Sequence, residues 1–222
     1  MRETLSRDDS SFFRMLPHGV VGADNSSIYC THLSAEEQKL ANCYHNPLRR
    51  RHFILGRLCA KLCLAKLGLP PIPILKDDAG APIWPDGVVG SISHSHSCCV
   101  AVAASSSQYT NVGVDIEYTK ALQPDLWPII FSSAELAFLA SHSSASWRQN
   151  LAARMFTAKE AFYKCQFPIT QCWIDFKEVE IHINGCDIRF ESATSAVRHL
   201  LPNVSGRCIP FGDYTITIAT LI

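Results

Sequence analysis

From Val112 to Glu117 the chain alternates with period two: Val112, Val114 and Ile116 fall on one side, Gly113, Asp115 and Glu117 on the other. Such a pattern reads as a strand and sets both carboxylates on one face, about 7 Å apart at the usual rise. Two like charges held that close call for a cation. Some forty residues on, Phe-Thr-Ala-Lys-Glu-Ala-Phe-Tyr-Lys, residues 156–164, reads as a helix. Its spacing lines up Phe156, Glu160 and Lys164, with Tyr163 beside them. Taken singly, the Asp-x-Glu is a solvated strand face and Glu160/Lys164 an ordinary surface ion pair. Taken together, three carboxylates suit Mg²⁺, which binds oxygen and completes its shell with water and substrate phosphates. The pair of stretches therefore predicts a phosphate-bearing substrate.

The remaining composition narrows the setting. At 222 residues and 47% hydrophobic content, the chain can bury a sizeable core as one large or two small domains. Lys plus Arg and Asp plus Glu number 20 each, so no overall field favours nucleic acid or an anionic membrane. Phosphate recognition has to come from local clusters. Ten cysteines occur, but the opening residues have no apolar signal region, and the expectation is a reducing compartment, the cytoplasm. No C-x-x-C is present, and the cysteines read as small core residues. No apolar run has the length of a membrane span, since Pro70, Pro71 and Pro73 interrupt the best candidate.

In chain order, residues 1–28 read as a loose start with Phe12, Phe13, Met15 and Leu16 as an apolar anchor, followed by an early strand. Ser34 with Glu37 forms a capping box for a helix reaching about Cys43. Residues 47–67 read as a second helix that buries Phe53, Ile54, Leu58, Leu62 and Ala65 and presents Arg50, Arg57 and Lys61 on one side as a basic face. A short strand at 73–76 and a turn at 77–82 follow. Residues 90–103 read as a strand or hairpin in which His94 and His96 share a face. That H-x-H is either a metal pair or two edge histidines, and no third ligand is evident. Ser105-Ser106-Ser107-Gln108 is linker-like and suggests halves at 1–108 and 109–222.

Ser132 with Glu135 starts another capped helix. Residues 141–146 read as a polar connecting loop or a docking edge, 154–165 as the second long helix ended by Phe167-Pro168, and 179–183, 188–190 and 214–219 as strands. The fold class is α+β.

The ordered set Gly113-Val114-Asp115-Ile116-Glu117 and Phe156–Lys164 resembles the two signatures of the 4′-phosphopantetheinyl transferases, in the larger branch typified by enzymes that activate the enterobactin and surfactin synthetases. Leu48-Arg49-Arg50-Arg51 through Arg57, Trp84-Pro85-Asp86-Gly87 and Gly90-Ser91-Ile92-Ser93-His94-Ser95 extend the resemblance over most of the chain.

The resemblance implies two similar α+β halves related by a pseudo-twofold, a monomer in that sense a pseudo-dimer. It also implies transfer of phosphopantetheine from coenzyme A to a serine of an apo acyl, aryl or peptidyl carrier. Pathways that make siderophores, nonribosomal peptides, polyketides or fatty acids all use such carriers. On this reading Asp115, Glu117, Glu160 and the Ile116 carbonyl hold Mg²⁺. Glu160 is the base, Lys164 neutralises the pyrophosphate, and Lys159 is a second cation. Arg49, Arg57, Ser93 and His94 contact coenzyme A. Lys76 stands in for a lysine that relatives carry where this chain has Ala81. Phe156, in place of a tryptophan, Tyr163, Trp173 and Ile174 line the pantetheine groove or belong to the core. Two other classes fit parts of the pattern: a metal-dependent phosphohydrolase acting on a nucleotide, and a non-catalytic coenzyme A- or carrier-binding module.

Overall fold

A computed structural model describes residues 14–29, 31–192 and 194–222. Strand β1 (Val21–Asp24) leads to α1 (Ala35–Asn42), α2 (Pro47–Lys66), β2 (Val88–Ser95) and β3 (Cys98–Ser105). Then come β4 (Asn111–Tyr118), α3 (Ser133–Ala140), α4 (Ala145–Thr170), β5 (Val179–Asn184), β6 (Asp187–Ser192), β7 (Val204–Phe211) and β8 (Tyr214–Leu221). All pairings are antiparallel, in two sheets ordered β1-β3-β2 and β4-β8-β7-β6-β5.

The two sheets face each other across a core, with a long helix on each outer side. Val100 and Val102 of β3 meet Val112, Val114 and Ile116 of β4 and Ile216 and Ile218 of β8 there. Period two sends the alternate residues outward. On one side Cys99, Ala101 and Ala103 pack on Cys59, Ala60 and Cys63 of α2. On the other, Ala219 and Leu221 pack with Leu151, Met155 and Phe162 of α4. Small residues dominate the first contact, so α2 lies close to its sheet.

Each half is built on the same polar unit. Ser34 and Glu37 close a capping box at α1, and Glu37 also takes the Ile74 N–H at 2.9 Å and the Lys61 ammonium at 2.5 Å. Ser132 and Glu135 do the same at α3, with the Ile181 N–H at 2.9 Å and Lys159 at 2.7 Å. The same interval in sequence separates Glu37 from Lys61 and Glu135 from Lys159. The pseudo-twofold expected from resemblance thus has a repeated signature in this chain.

Several expectations need correction. The segment at 73–76 is extended, with one isolated bridge from Lys76 to Pro82, because side chains rather than a neighbouring strand bind the Ile74 backbone. The second long helix starts at Ala145, capped by Ser144, and runs to Thr170 with Pro168 inside its last turn. A proline that late forfeits one helical bond and does not break the helix. The polar loop is correspondingly shorter.

Ala65 is exposed and the buried stripe of α2 runs through Cys59 and Cys63 instead. Arg57 and Lys61 are buried, so the basic face is not a solvated one. Strand β7 was masked by Gly206 and Pro210. Gly206 sits under the Phe190 ring, and Pro210 lies beyond the β6 pairing, where no ladder needs its N–H. His96 occupies the turn between β2 and β3 at φ 51°, so it shares no strand face with His94. Phe12 and Phe13 lie outside the described residues, while Met15 and Leu16 pack against the core between the sheets. Every described cysteine is free, and no helix among the described residues is long and apolar enough to cross a membrane.

Gly113 lets α4 settle on β4. A Cβ there would meet the Ala161 carbonyl oxygen at 2.1 Å and the Cys165 nitrogen at 2.6 Å, both backbone atoms that cannot swing aside. Gly113→Ala should therefore cost about 3 kcal/mol, the upper range for overpacking, and lower the melting temperature by several degrees. An unchanged melting curve would show that the helix does not rest on this strand.

Candidate active site

Three contacts fix α4 over β4. Besides the approach at Gly113, the Asn111 side-chain amide donates to the Cys165 carbonyl at 2.7 Å, and Thr157 pairs with Thr217 of β8 at 2.8 Å. They bring Glu160 and Lys164 to the strand face that carries Asp115 and Glu117. The Lys164 ammonium donates to Asp115 Oδ1 at 2.7 Å, Ser93 Oγ at 2.9 Å and the Val114 carbonyl at 3.2 Å. Its salt bridge is to Asp115, so Glu160 and Lys164 are not the simple helical ion pair that their spacing allowed.

The edge of β2 supplies the other donors. Ser93 Oγ donates to Asp115 Oδ1 at 2.7 Å, and Ser95 Oγ donates to Glu117 Oε1, which also accepts the Tyr118 N–H at 2.8 Å. Period two turns Ser93 toward the carboxylates and His94 toward α2, so the two neighbours in sequence face different partners. A Ser-x-Ser-x-Ser alternation, 91, 93 and 95, was the available signal for this seam. It passes for a solvent face until β4 is known to lie beside it.

Glu160 accepts no hydrogen bond from the described residues. Burial raises its pKa above the usual carboxylate range, Asp115 and Glu117 push it further up, and Lys164 partly opposes them. The three carboxylates thus feel one charge field. Among the described residues no three His, Cys, Asp or Glu side chains enclose a point as they stand. The donor set still fits Mg²⁺, which typically takes one or two carboxylates and finishes its shell with water and phosphate. Ile116 points its side chain into the core, leaving only its carbonyl for such a role.

Besides a groove lined by Asn111, Tyr163 and Lys164, two recesses flank this centre. A cavity of ≈ 170 Å³ is lined by Glu160, Tyr163, Trp173, Ile174, Phe176 and Val179 among others. Trp173 is 79% exposed at its mouth, edge-on to Tyr163. Phe156 is not part of this lining. It packs on Phe176 at the rim of the core. Lys159 cannot act as a second cation at a phosphate: Glu135 and the carbonyls of Phe176 and Val179, at 2.6 and 2.5 Å, take its three donors.

The second recess brings Arg49, Arg57 and His94 together with Tyr44, His52 and Gly80. Lys76 lies at its edge, its ammonium 5.3 Å from the centre of the Tyr44 ring. Arg49 is exposed in the first turn of α2, ready for an anion. Arg57 is not equally available. It is 6% exposed, stacks on Phe53, and gives Nε to the Ile74 carbonyl at 2.7 Å and Nη2 to the Leu75 carbonyl at 3.2 Å. His52, which sequence reasoning passed over, donates to the His96 carbonyl at 2.8 Å and stacks on His94 at 4.1 Å. Burial, then His52 and Lys164, push the His94 pKa down to about 4, so His94 is neutral at pH 7.

Residues 36–104 match the 4′-phosphopantetheinyl transferase N-terminal domain, and residues 111–219 match the 4′-phosphopantetheinyl transferase superfamily. The chain belongs to the 4′-phosphopantetheinyl transferase superfamily. The transferase Npt of Nocardia iowensis is 39% identical over 147 residues, 66% of this chain and 64% of that protein. PptT of Mycobacterium tuberculosis is 40% identical over 60% of this chain and 58% of its own length. Svp of Streptomyces mobaraensis is 35% identical over 72% and 64%. The chain thus spans 58% to 64% of the length of these relatives. Among solved structures, holo-[acyl-carrier-protein] synthase of Thermotoga maritima superposes with a TM-score of 0.42, at 15% identity over 50% of this chain and 61% of that one.

The raised pKa of Glu160 gives a test that needs no substrate. Above that pKa the folded state holds a repelled carboxylate that the unfolded chain solvates freely. The native state binds more protons between pH 4.5 and the raised value, so stability falls as pH rises through this window. Glu160→Gln should therefore melt higher than wild type at pH 7.5, with the gain vanishing below pH 4.5. A variant less stable than wild type at pH 7.5 would mean that no repulsion acts on Glu160.

Proposed function

We propose that the chain transfers 4′-phosphopantetheine from coenzyme A to a serine hydroxyl of an apo acyl, aryl or peptidyl carrier, acting in the cytoplasm as a monomer whose halves form a pseudo-dimer. The observation that carries this reading is the placement of Glu160, Lys164 and two strand carboxylates between a mostly apolar cavity and a recess lined by Arg49 and His94. An elongated ligand with a pyrophosphate at its middle fits that order. The nucleotide with its 3′-phosphate would lie by Arg49, Lys76 and His94, and the pantetheine arm by Tyr163, Trp173 and Ile174.

In the reaction the serine oxygen bonds to the phosphorus that carries pantetheine, the bridging P–O bond breaks, and 3′,5′-ADP leaves with the electron pair. Glu160 takes the serine proton. Burial and the neighbouring carboxylates raise its pKa, which makes it a stronger base than a solvated carboxylate. Lys164 supplies positive charge where the leaving phosphate gains negative charge, and Ser93 and Ser95 hold one oxygen each of Asp115 and Glu117. Mg²⁺ held by Asp115, Glu117, Glu160 and the Ile116 carbonyl would neutralise the pyrophosphate. A binding module has no use for this cluster of repelling carboxylates.

Mass spectrometry of apo carriers incubated with the protein, coenzyme A and Mg²⁺ should show one phosphopantetheine added per carrier serine, and none on a serine-to-alanine carrier. Glu160→Gln should cut the rate by about 100-fold or more, the usual worth of a general base. Slow hydrolysis of coenzyme A with no carrier modified would replace this reading with a phosphohydrolase.

The recess separates two arginines. Arg49→Ala should weaken coenzyme A by about tenfold or more, the value of hydrogen bonds to a charged group, and dephospho-coenzyme A much less. Arg57→Ala should instead lower the melting temperature, since it strands the buried Ile74 carbonyl. Calorimetric titration of both ligands checks this, and equal losses for the two ligands in Arg49→Ala would remove the 3′-phosphate from Arg49.

A further inference from the structure

The repeated Glu–Lys units carry an inference that rests on the transferase reading and goes beyond it. We propose that Glu37–Lys61 and Glu135–Lys159 are two positioning locks, the first setting the nucleotide recess and the second setting the pantetheine cavity together with Glu160.

Burial makes these pairs poor candidates for stability alone. All four side chains are 0% to 4% exposed, and a buried ion pair recovers little beyond its own desolvation. What distinguishes them is where their bonds go. Glu37 Oε1 takes the Ile74 N–H, and Arg57 takes the Ile74 and Leu75 carbonyls. Ile74 therefore hangs between α1 and α2 by side chains, while the Leu75 carbonyl also accepts the Ile83 N–H at 3.1 Å and Lys76 makes a single bridge to Pro82. The chain runs straight from there to Gly80 and Pro82 in the wall of the recess.

In the second half Glu135 Oε1 takes the Ile181 N–H and Lys159 takes the carbonyls of Phe176 and Val179. Phe176 lines the cavity with Ile174 and Asp175 on a segment that joins no ladder, and Val179 lines it where β5 begins. Lys159 also precedes Glu160 on α4. One lysine thus sets the distance between the helix bearing Glu160 and the opposite cavity wall. The half lacking the carboxylates uses Lys61 in the same way, with the His32 carbonyl at 2.9 Å. A phosphate partner is therefore not what this lysine position requires.

The two locks should be separable with 3′,5′-ADP, which reports the nucleotide recess, and coenzyme A, which reports recess and cavity. Titration calorimetry and single-turnover rates would compare Glu37→Gln, Lys61→Met, Glu135→Gln and Lys159→Met with wild type. The first two should weaken both ligands by the same factor, about tenfold. The last two should leave 3′,5′-ADP within about twofold, abolish the extra affinity of coenzyme A, and lower the rate about a hundredfold, as a small misplacement does.

Hydrogen exchange on the wild-type protein gives a second reading that no folding defect can blur. 3′,5′-ADP should slow exchange over residues 74–82 and leave 174–181 unchanged, while coenzyme A should slow both. Equal losses for the two ligands in all four variants, or uniform slowing by 3′,5′-ADP, would overturn the proposal. A wild-type protein that binds neither ligand would instead sink the functional reading, and the proposal with it.

Discussion

The gathering of Glu160, Lys164 and Asp115 depends on how closely the backbone of α4 approaches β4 at Gly113. With no Cβ in the way, the Ala161 carbonyl comes down on the strand, and a side chain one residue earlier, Glu160, and another three later, Lys164, are carried to the level of Asp115. Asn111 and Thr217 fix the helix at either side of that contact. A helix is a rigid rod with a set rise per residue, so one point of close approach and two hydrogen bonds are enough to place both functional groups.

Once gathered, the charges have to be balanced. Asp115 is satisfied by Lys164 and Ser93, Glu117 by Ser95 and a backbone N–H, and Glu160 is left to bear the repulsion of both. A carboxylate in that position prefers a proton or a cation. The serines matter because they come from the other half of the molecule, so the carboxylates are oriented only when the two sheets are joined. The shared core between the sheets, in which β3 meets β4 and β8, is therefore what assembles the site.

The halves resemble each other as scaffolds and differ as chemistry. Both build a capping box, a long helix and a buried Glu–Lys unit that ties a segment of chain to that helix. Beyond that, α2 offers Arg49 and His52 to a polar recess while α4 offers Glu160 and Tyr163 to an apolar cavity. A duplicated frame with unlike linings suits a ligand whose two ends differ.

Local rules sufficed wherever partners lie close in sequence. The Asp115/Glu117 alternation, both capping boxes, the start and stop of α2, and the alignment of Glu160 with Lys164 follow from strand and helix periods and from cap chemistry. They were legible for that reason. What the periods could not supply was the identity of the surface each face meets. Arg57 and Lys159 look like phosphate ligands in a one-dimensional reading, because only the folded chain brings the carbonyls of Ile74, Phe176 and Val179 to their donors. Ser93 and Ser95 look like a wet strand face until β4 covers them, and β7 stayed hidden until the short β6 pairing excused its proline. The sequence by itself thus determined which groups are available and along which elements they run. Tertiary structure decided which of them are spent on backbone and which are left free, since a hydrogen-bond donor's role depends on the nearest acceptor in space, and that acceptor can lie far off in sequence, 49 residues away for Lys164 and Asp115.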